Sequence, residues 1–275
     1  MSEVLRVSDL HVEFGRRGLF GKAVEVLHGI SFEIAAGETF GLVGESGSGK
    51  TTIGRAVLGL VAPSAGTIAL DGRRIDGLRR RRHLAREVQV VFQDPYTSLN
   101  PAMTIEDILS EPLRVHGMSR AAAASRVTDL LDKVALPAGA GRRYPREFSG
   151  GQRQRIAIAR ALSLEPRLIV CDEPVSALDL STQARILDLL IDLQDTLGVA
   201  YLFISHDLAV VRHISHRVAV IHKGVFVETG TAEQVSENPA DPYTRRLLMA
   251  APVPDPARQR ERRAERHRLA DTASP

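Results

Sequence analysis

The sequence predicts an α/β protein, and three observations carry that reading. Short apolar runs such as TFGLV, RLIVCD and AYLFIS alternate with segments of helical spacing, the pattern of a largely parallel sheet flanked by helices. A glycine-rich stretch, Gly44 to Thr51, stands between the first of these runs and a helical segment. The second run ends in adjacent carboxylates, Asp172 and Glu173. With 275 residues and 44% apolar side chains, the chain can bury a substantial core as one large domain or as one domain carrying a subdomain.

Taken in order, LRVSDLHVEF and AVEVLHGISFEI alternate apolar and polar residues and read as β-hairpin material closed by the turn AAGE. TFGLV is a buried strand, GKTTIGRAVLGL a helix, GTIALDG a strand and turn, LRRRRHLAR a solvated helix face, and VQVVFQ a further strand. Residues 104–135 read as mostly helical, with Ser119 ahead of an alanine run as a helix start. A helix follows the paired glycines 150 and 151. After it come the strand RLIVCD, the helix STQARILDLLIDLQDTLG, the strand AYLFIS, the helix DLAVVRHIS and the strands RVAVIHKG and VFVETG. NPADPYTRRLLMAAPVPDP is a proline-punctuated helix, and the chain shows no internal repeat.

The formal charge of +3 is a property of the tail. From Arg258 onward six arginines face three carboxylates, which leaves residues 1–257 with 30 basic and 30 acidic side chains. The tail reads as a solvated, partly helical or disordered end, with binding to anionic lipid or RNA as the alternative, and nucleic acid is not an expected partner. One cysteine, Cys171, excludes an intrachain disulfide framework and a Cys-rich zinc site. No run approaches the roughly 20 apolar residues of a membrane span, so the expectation is a protein that is soluble or peripheral to something that spans.

GESGSGKT fits the pattern G-x-x-x-x-G-K-[ST] between a strand and a helix. Its backbone N–H groups, over Gly44, Glu45, Ser46, Gly47, Ser48 and Gly49 and on to Thr52, are suited to wrap the phosphates of ATP. Lys50 can reach the β and γ oxygens, and the Thr51 hydroxyl can ligate Mg²⁺. Asp172, at the carboxyl end of an apolar strand, is the second Mg²⁺ contact. Glu173 then stands where a carboxylate can orient and partly deprotonate an attacking water. A second candidate anion cradle is SGGQ, Ser149 to Gln152, at the start of a helix; the alternative is an N-cap and turn with no further task.

In this setting the chain resembles an ATP-binding-cassette ATPase subunit of a transporter. FSGGQ resembles the family signature, with Phe148 where leucine is commonest; VFQDP resembles the glutamine loop, SALD the loop after the catalytic glutamate, and ISHD the switch histidine. The resemblance implies a P-loop NTPase core with an N-terminal antiparallel β subdomain and an inserted helical subdomain at about 95–163. The cassette would span 1–250, followed by an extension and basic tail over 251–275. It implies head-to-tail dimers in which Ser149, Gly150, Gly151 and Gln152 close over a neighbour's ATP, with Asp179 bridging to that site. His206 would hold the γ-phosphate, Glu173 and the water in place, and Gln93 would contact Mg²⁺ and the water. Phe14 is the adenine-stacking candidate, with Phe20 as a competitor and a core position as the alternative.

The C-terminal NPADPYTRRLL is similar to the extension of the oligopeptide, dipeptide and nickel importer ATPases, with Asp241 where histidine is usual. The iron–sulfur centre of some members is excluded by the lone Cys171. YTSLNP and EPL are more like the second of the paired ATPases. The implied partners are two integral membrane permease subunits, a second ABC ATPase in a heterodimer (a homodimer being the alternative) and, indirectly, an extracytoplasmic solute-binding protein. The place implied is the cytoplasmic face of the inner membrane, bound peripherally. The rival readings are an exporter ATPase and a soluble ABC ATPase acting on ribosomes or nucleic acid.

Overall fold

Side chains along each inner strand alternate between two buried faces, and that period of two sets the layers. The computed structural model describes residues 2–15, 23–76 and 81–250. Phe20, the start of LRRRRHLAR and the extension and basic tail at 251–275 lie outside the described residues.

β1 (Glu3–Phe14) and β2 (Val24–Ala35) pair antiparallel, as their alternation predicts. β4 (Ala65–Leu70) joins the other side of β1 and carries the two-residue β5 (Arg73–Arg74), giving a sheet of order β2-β1-β4-β5. The second sheet runs β10-β9-β3-β8-β7-β6. Its parallel strands are β3 (Thr39–Val43), β6 (Val88–Val91), β7 (Leu168–Asp172), β8 (Ala200–Ser205) and β9 (Arg217–His222). β10 (Val225–Thr231) closes one edge antiparallel to β9.

In β7, Leu168 and Val170 face the antiparallel sheet while Ile169 and Cys171 face the opposite side; in β8, Leu202 and Ile204 oppose Tyr201 and Phe203 in the same way. α1 (Lys50–Val57) lies between the two sheets and stops one turn earlier than the apolar run GRAVLGL suggests. Its Gly54 allows the close approach: a Cβ there would stand 2.9 Å from Ile204 Cδ1 and 3.2 Å from Val170 Cγ1.

The other face of the large sheet is covered by helices. α2 (Arg81–Glu87), whose Leu84 packs on the antiparallel-sheet side, precedes β6, which ends at Val91, so Phe92 and Gln93 leave the strand and Phe92 is exposed. Next come the single turn α3 (Pro95–Ser98), capped by Asp94, then α4 (Ile105–Val115), capped by Thr104, and α5 (Arg120–Lys133), capped by Ser119 as the sequence predicts. Two 3₁₀ turns at Ala138–Arg142 and Pro145–Glu147 lead into α6 (Gly150–Leu162). α7 (Leu180–Leu197) ends at Gly198 with φ 66°, and α8 (Leu208–Ile214), α9 (Ala232–Glu237) and α10 (Pro242–Ala250) follow. Buried side chains of α4 to α8, with Phe148 and Tyr243, form one continuous apolar cluster with that face of the sheet. Among the described residues no helix is long and apolar enough to cross a membrane.

Candidate active site

β3, β8 and β7 are parallel neighbours, so their carboxyl ends bring three candidate segments to one edge of the sheet. After Val43 the chain enters the loop 44–49. Gly44 must lack a side chain, because a Cβ would stand 2.3 Å from the Ile221 carbonyl oxygen. Gly49 precedes α1 at φ 114°, where an L side chain is strained, and its Cβ would meet Leu27 Cδ2 at 2.7 Å. The loop is tied from outside as well. Gly224 N–H donates to the Ser48 carbonyl at 2.9 Å, and Glu45 N–H donates to the Tyr243 hydroxyl at 3.2 Å.

Lys50 opens α1 and is only 4% exposed. Its ammonium donates to the carbonyls of Gly44 at 2.7 Å and Glu45 at 2.8 Å. Burial lowers its pKa, against the opposing pull of Glu173, Asp172 and Glu45. Charged phosphate oxygens are stronger partners for an ammonium than neutral carbonyls, so an anion entering the loop competes well for this cation.

The Thr51 hydroxyl donates to Asp172 Oδ1 at 3.4 Å. Burial, and then the neighbouring Glu173, push the Asp172 carboxyl above its ordinary range, while Thr51, Arg55 and Lys50 pull it down. A hydroxyl beside a carboxylate that is partly buried and repelled by a second carboxylate is a hard-oxygen donor set, and its chemistry fits Mg²⁺. Cys171, one residue earlier, is fully buried in β7, and burial raises its thiol pKa.

Glu173 adopts a left-handed φ of 51°, uncommon for a residue with a side chain. Its N–H donates to the Ile204 carbonyl at 2.9 Å, and its own carbonyl accepts the Ser176 hydroxyl at 3.1 Å. This turn at the end of β7 brings Glu173 Oε2 to 3.1 Å from Nδ1 of His206, which follows β8. The structure thus joins Lys50, Thr51, Asp172, Glu173 and His206 in one neighbourhood, although 33 positions separate the last two in the chain.

Ser149, Gly150, Gly151 and Gln152 form the start of α6. The Ser149 hydroxyl accepts from Gln152 N–H at 3.3 Å, and Gln152 Oε1 accepts from Ser149 N–H at 3.0 Å, a reciprocal cap. Asp179 caps α7 by accepting the Ser181 hydroxyl at 2.7 Å and Thr182 N–H at 3.0 Å. The Ser181 bond, and then the Thr182 bond, hold its carboxyl down at about 2. A polar hollow beside these two helix starts is lined by Ser149, Gln152, Arg155, Thr182 and Arg185. Among the described residues no hydrogen bond joins residues 149–152 to residues 44–52.

Two predicted residues stand apart. Gln93 is exposed beyond β6 and, among the described residues, makes no hydrogen bond to Thr51 or Asp172. Phe14 ends β1 and is 44% exposed, so it is not a core residue. Sequence reasoning missed Tyr243 as a contact of the glycine loop 44–49. The only signal is the PYT triplet, which carries no local mark of a partner 198 positions away.

Residues 27–176 match the ABC transporter family, and residues 227–274 match the oligopeptide/dipeptide transporter C-terminal region. The glutathione import ATP-binding protein GsiA of Escherichia coli (strain K12) is 54% identical over 267 residues, 94% of this chain and 43% of the relative. Its counterpart in Salmonella paratyphi A is 53% identical over the same share. The chain therefore spans less than half the length of these curated relatives. Among solved structures, cbiO1 from Clostridium perfringens, part of the ABC transporter complex cbiONQ, is similar with a TM-score of 0.76 at 27% identity, over 86% of this chain and 91% of that one. The ATP-binding cassette MJ0796, solved as a dimer bound to ADP and Pi in a post-hydrolysis state, is similar with a TM-score of 0.72 at 27% identity, over 83% of this chain and 98% of that one. With the glycine loop 44–49, the paired carboxylates and the histidine meeting at one sheet edge, these matches show that the chain belongs to the ABC transporter family.

Proposed function

We propose that this chain hydrolyses ATP to drive import of a peptide-class solute through separate membrane permease subunits, from the cytoplasmic face of the inner membrane. The observation that carries the chemistry is the meeting of Thr51 with Asp172 beside the Glu173–His206 pair. The solute class follows from the oligopeptide-type C-terminal region and from relatives named for glutathione import, a short peptide.

In this reading the cassette spans 1–250, with the helical subdomain at about 95–163 inside it. The N–H groups from Gly44 to Thr52 cradle the phosphates, and Lys50 exchanges its two carbonyl partners for β and γ oxygens. Thr51 and Asp172 would hold Mg²⁺, which when bound neutralises phosphate charge, and Gln93 would reach it only from its exposed loop beyond β6. Glu173 accepts a proton from the attacking water as oxygen adds to the γ-phosphorus and the bond to ADP breaks, releasing ADP and inorganic phosphate. His206 keeps the carboxylate aimed. Phe14 offers its exposed ring to adenine.

Residues 149–152 of a second ATPase subunit complete the site, and Asp179 bridges to it. Within one chain the signature and the phosphate loop share no hydrogen bond among the described residues, which supports a site completed from outside. The favoured partner is a different ATPase chain. Exposed Phe92 and Val115 line a groove beside the Gln93 loop, with Pro112, His116 and Arg160, and this groove suits a short helical segment of a permease.

The test is an affinity purification of the chain from detergent-solubilised membranes of its source, with every companion identified. Two integral membrane chains and a second ATPase are expected. Ribosomal or nucleic-acid companions without permeases would overturn the transport reading and leave the ATPase standing.

A further inference from the structure

The stretch NPADPYTRRLL has no part in the chemistry above, yet it reaches the phosphate loop. Glu228 of β10 accepts the N–H groups of Ala240 at 2.7 Å and Asp241 at 3.1 Å, and Asp241 in turn accepts Tyr243 N–H at 2.7 Å. These bonds fix the first turn of α10 and direct Tyr243 inward. Its residue exposure is 6%, its ring centroid lies 4.0 Å from that of His222 at the end of β9, and its hydroxyl accepts the Glu45 N–H at 3.2 Å.

The residue it holds is central to the loop. The Glu45 carbonyl accepts both the Lys50 ammonium at 2.8 Å and Ser48 N–H at 3.2 Å. A loop with glycines at 44, 47 and 49 has many backbone states, so contacts from outside it add to the order its internal bonds supply. Among the described residues two hydrogen bonds reach residues 44–49 from distant segments, Gly224 to Ser48 and Glu45 to Tyr243. Among the described residues, the Glu45 N–H has no other protein partner than the tyrosine hydroxyl.

We propose that Tyr243 is a positioning residue for nucleotide binding: α10 holds the loop at Glu45 in the form that receives phosphate, and so couples the C-terminal helix to the nucleotide site. The proposal rests on ATP binding at residues 44–52, which Lys50→Ala tests separately. Wild-type affinity in that variant would sink the nucleotide site itself, whatever Tyr243 does.

Tyr243→Phe in the full chain keeps the ring against His222 and removes only the hydroxyl. Equilibrium titration with magnesium and a non-hydrolysable ATP analogue should show about fivefold weaker binding, the equivalent of about 1 kcal/mol for one neutral hydrogen bond. In turnover assays the loss should fall on KM rather than kcat. Glu228→Ala, which frees the entry to α10 without touching the loop, should weaken binding in the same direction. Folded variants that both bind the analogue like the wild type would overturn the proposal. Hydrogen exchange on the wild-type chain gives a second measurement that needs no variant. Coupling is reciprocal, so the analogue must slow exchange of the amides at 243–249, and unchanged exchange there would equally overturn it.

Discussion

His206 Nδ1 lies 3.1 Å from Glu173 Oε2, and Glu173 itself sits at a left-handed φ of 51° held by the Ile204 carbonyl. A carboxylate aimed by a histidine from the neighbouring strand, on a backbone turn that few residues adopt, is an arrangement that over-determines one orientation. His206→Ala should therefore lower kcat by about 10-fold to 100-fold while leaving ATP affinity within about threefold, because the histidine acts chiefly by holding Glu173. Steady-state kinetics beside equilibrium ATP binding checks this split; a loss confined to affinity would contradict it.

The packing of α6 on α7 gives a stability prediction. A Cβ on Gly151 would stand 2.3 Å from Thr182 Cγ2, so Gly151→Ala should cost about 1–3 kcal/mol of stability by overpacking. Thr182→Ser removes that methyl while leaving the Thr182 backbone N–H on Asp179. The double variant should regain much of the loss, and denaturant titration of the four species measures the coupling; simple additivity would mean the two residues do not meet.

Ser149→Ala removes one half of the reciprocal cap but no group hydrogen-bonded to the chain's own phosphate loop. ATP binding by the isolated chain should stay within about twofold of wild type, and hydrolysis by the assembled ATPase pair should fall at least about tenfold. Loss of the chain's own ATP binding would contradict a signature that serves a neighbour.

Asp172 yields a pH prediction. Its carboxyl titrates above its ordinary value in the fold, with burial as the leading cause. Such a group favours the fold most when protonated: its contribution is present below the ordinary carboxylate pKa and is lost as pH rises through the raised value. Asp172→Asn cannot ionise, so it should melt higher than wild type at pH 7–8, with the difference shrinking as pH falls through the raised value and gone below about 4. The same substitution should nearly abolish magnesium-dependent turnover. A lower melting temperature at pH 7–8 would contradict the assignment of burial as the dominant effect.

The glycine loop 44–49, the carboxylate pair and the caps at Ser119 and Ser149 are legible in the sequence because each is local. A glycine pattern, an apolar run ending in acid, or a serine before a helix declares itself within about ten residues. The strands of both sheets are legible for the same reason, apart from the two-residue β5 at Arg73–Arg74, which the sequence reading did not place. Less is legible where distant segments decide. GTIALDG reads as a strand, but its place beside β1 is set by pairing across 54 positions or more, as in His11 with Ala65. The turn α9 lies in TAEQVSE, too short to show a period, and β6 ends two residues short of the predicted strand VQVVFQ, where Phe92 turns out to the groove. Tyr243 is the clearest case, since nothing within NPADPYT points to Glu45.

The most direct test of the account is the Glu173→Gln chain, with equilibrium ATP binding and steady-state hydrolysis measured on one preparation beside the wild type. The amide keeps the shape and loses the base, so binding should match or exceed wild type while turnover falls at least about a hundredfold. Turnover within about twofold of wild type would show that Glu173 does not activate the water, and the catalytic assignment would fall with it.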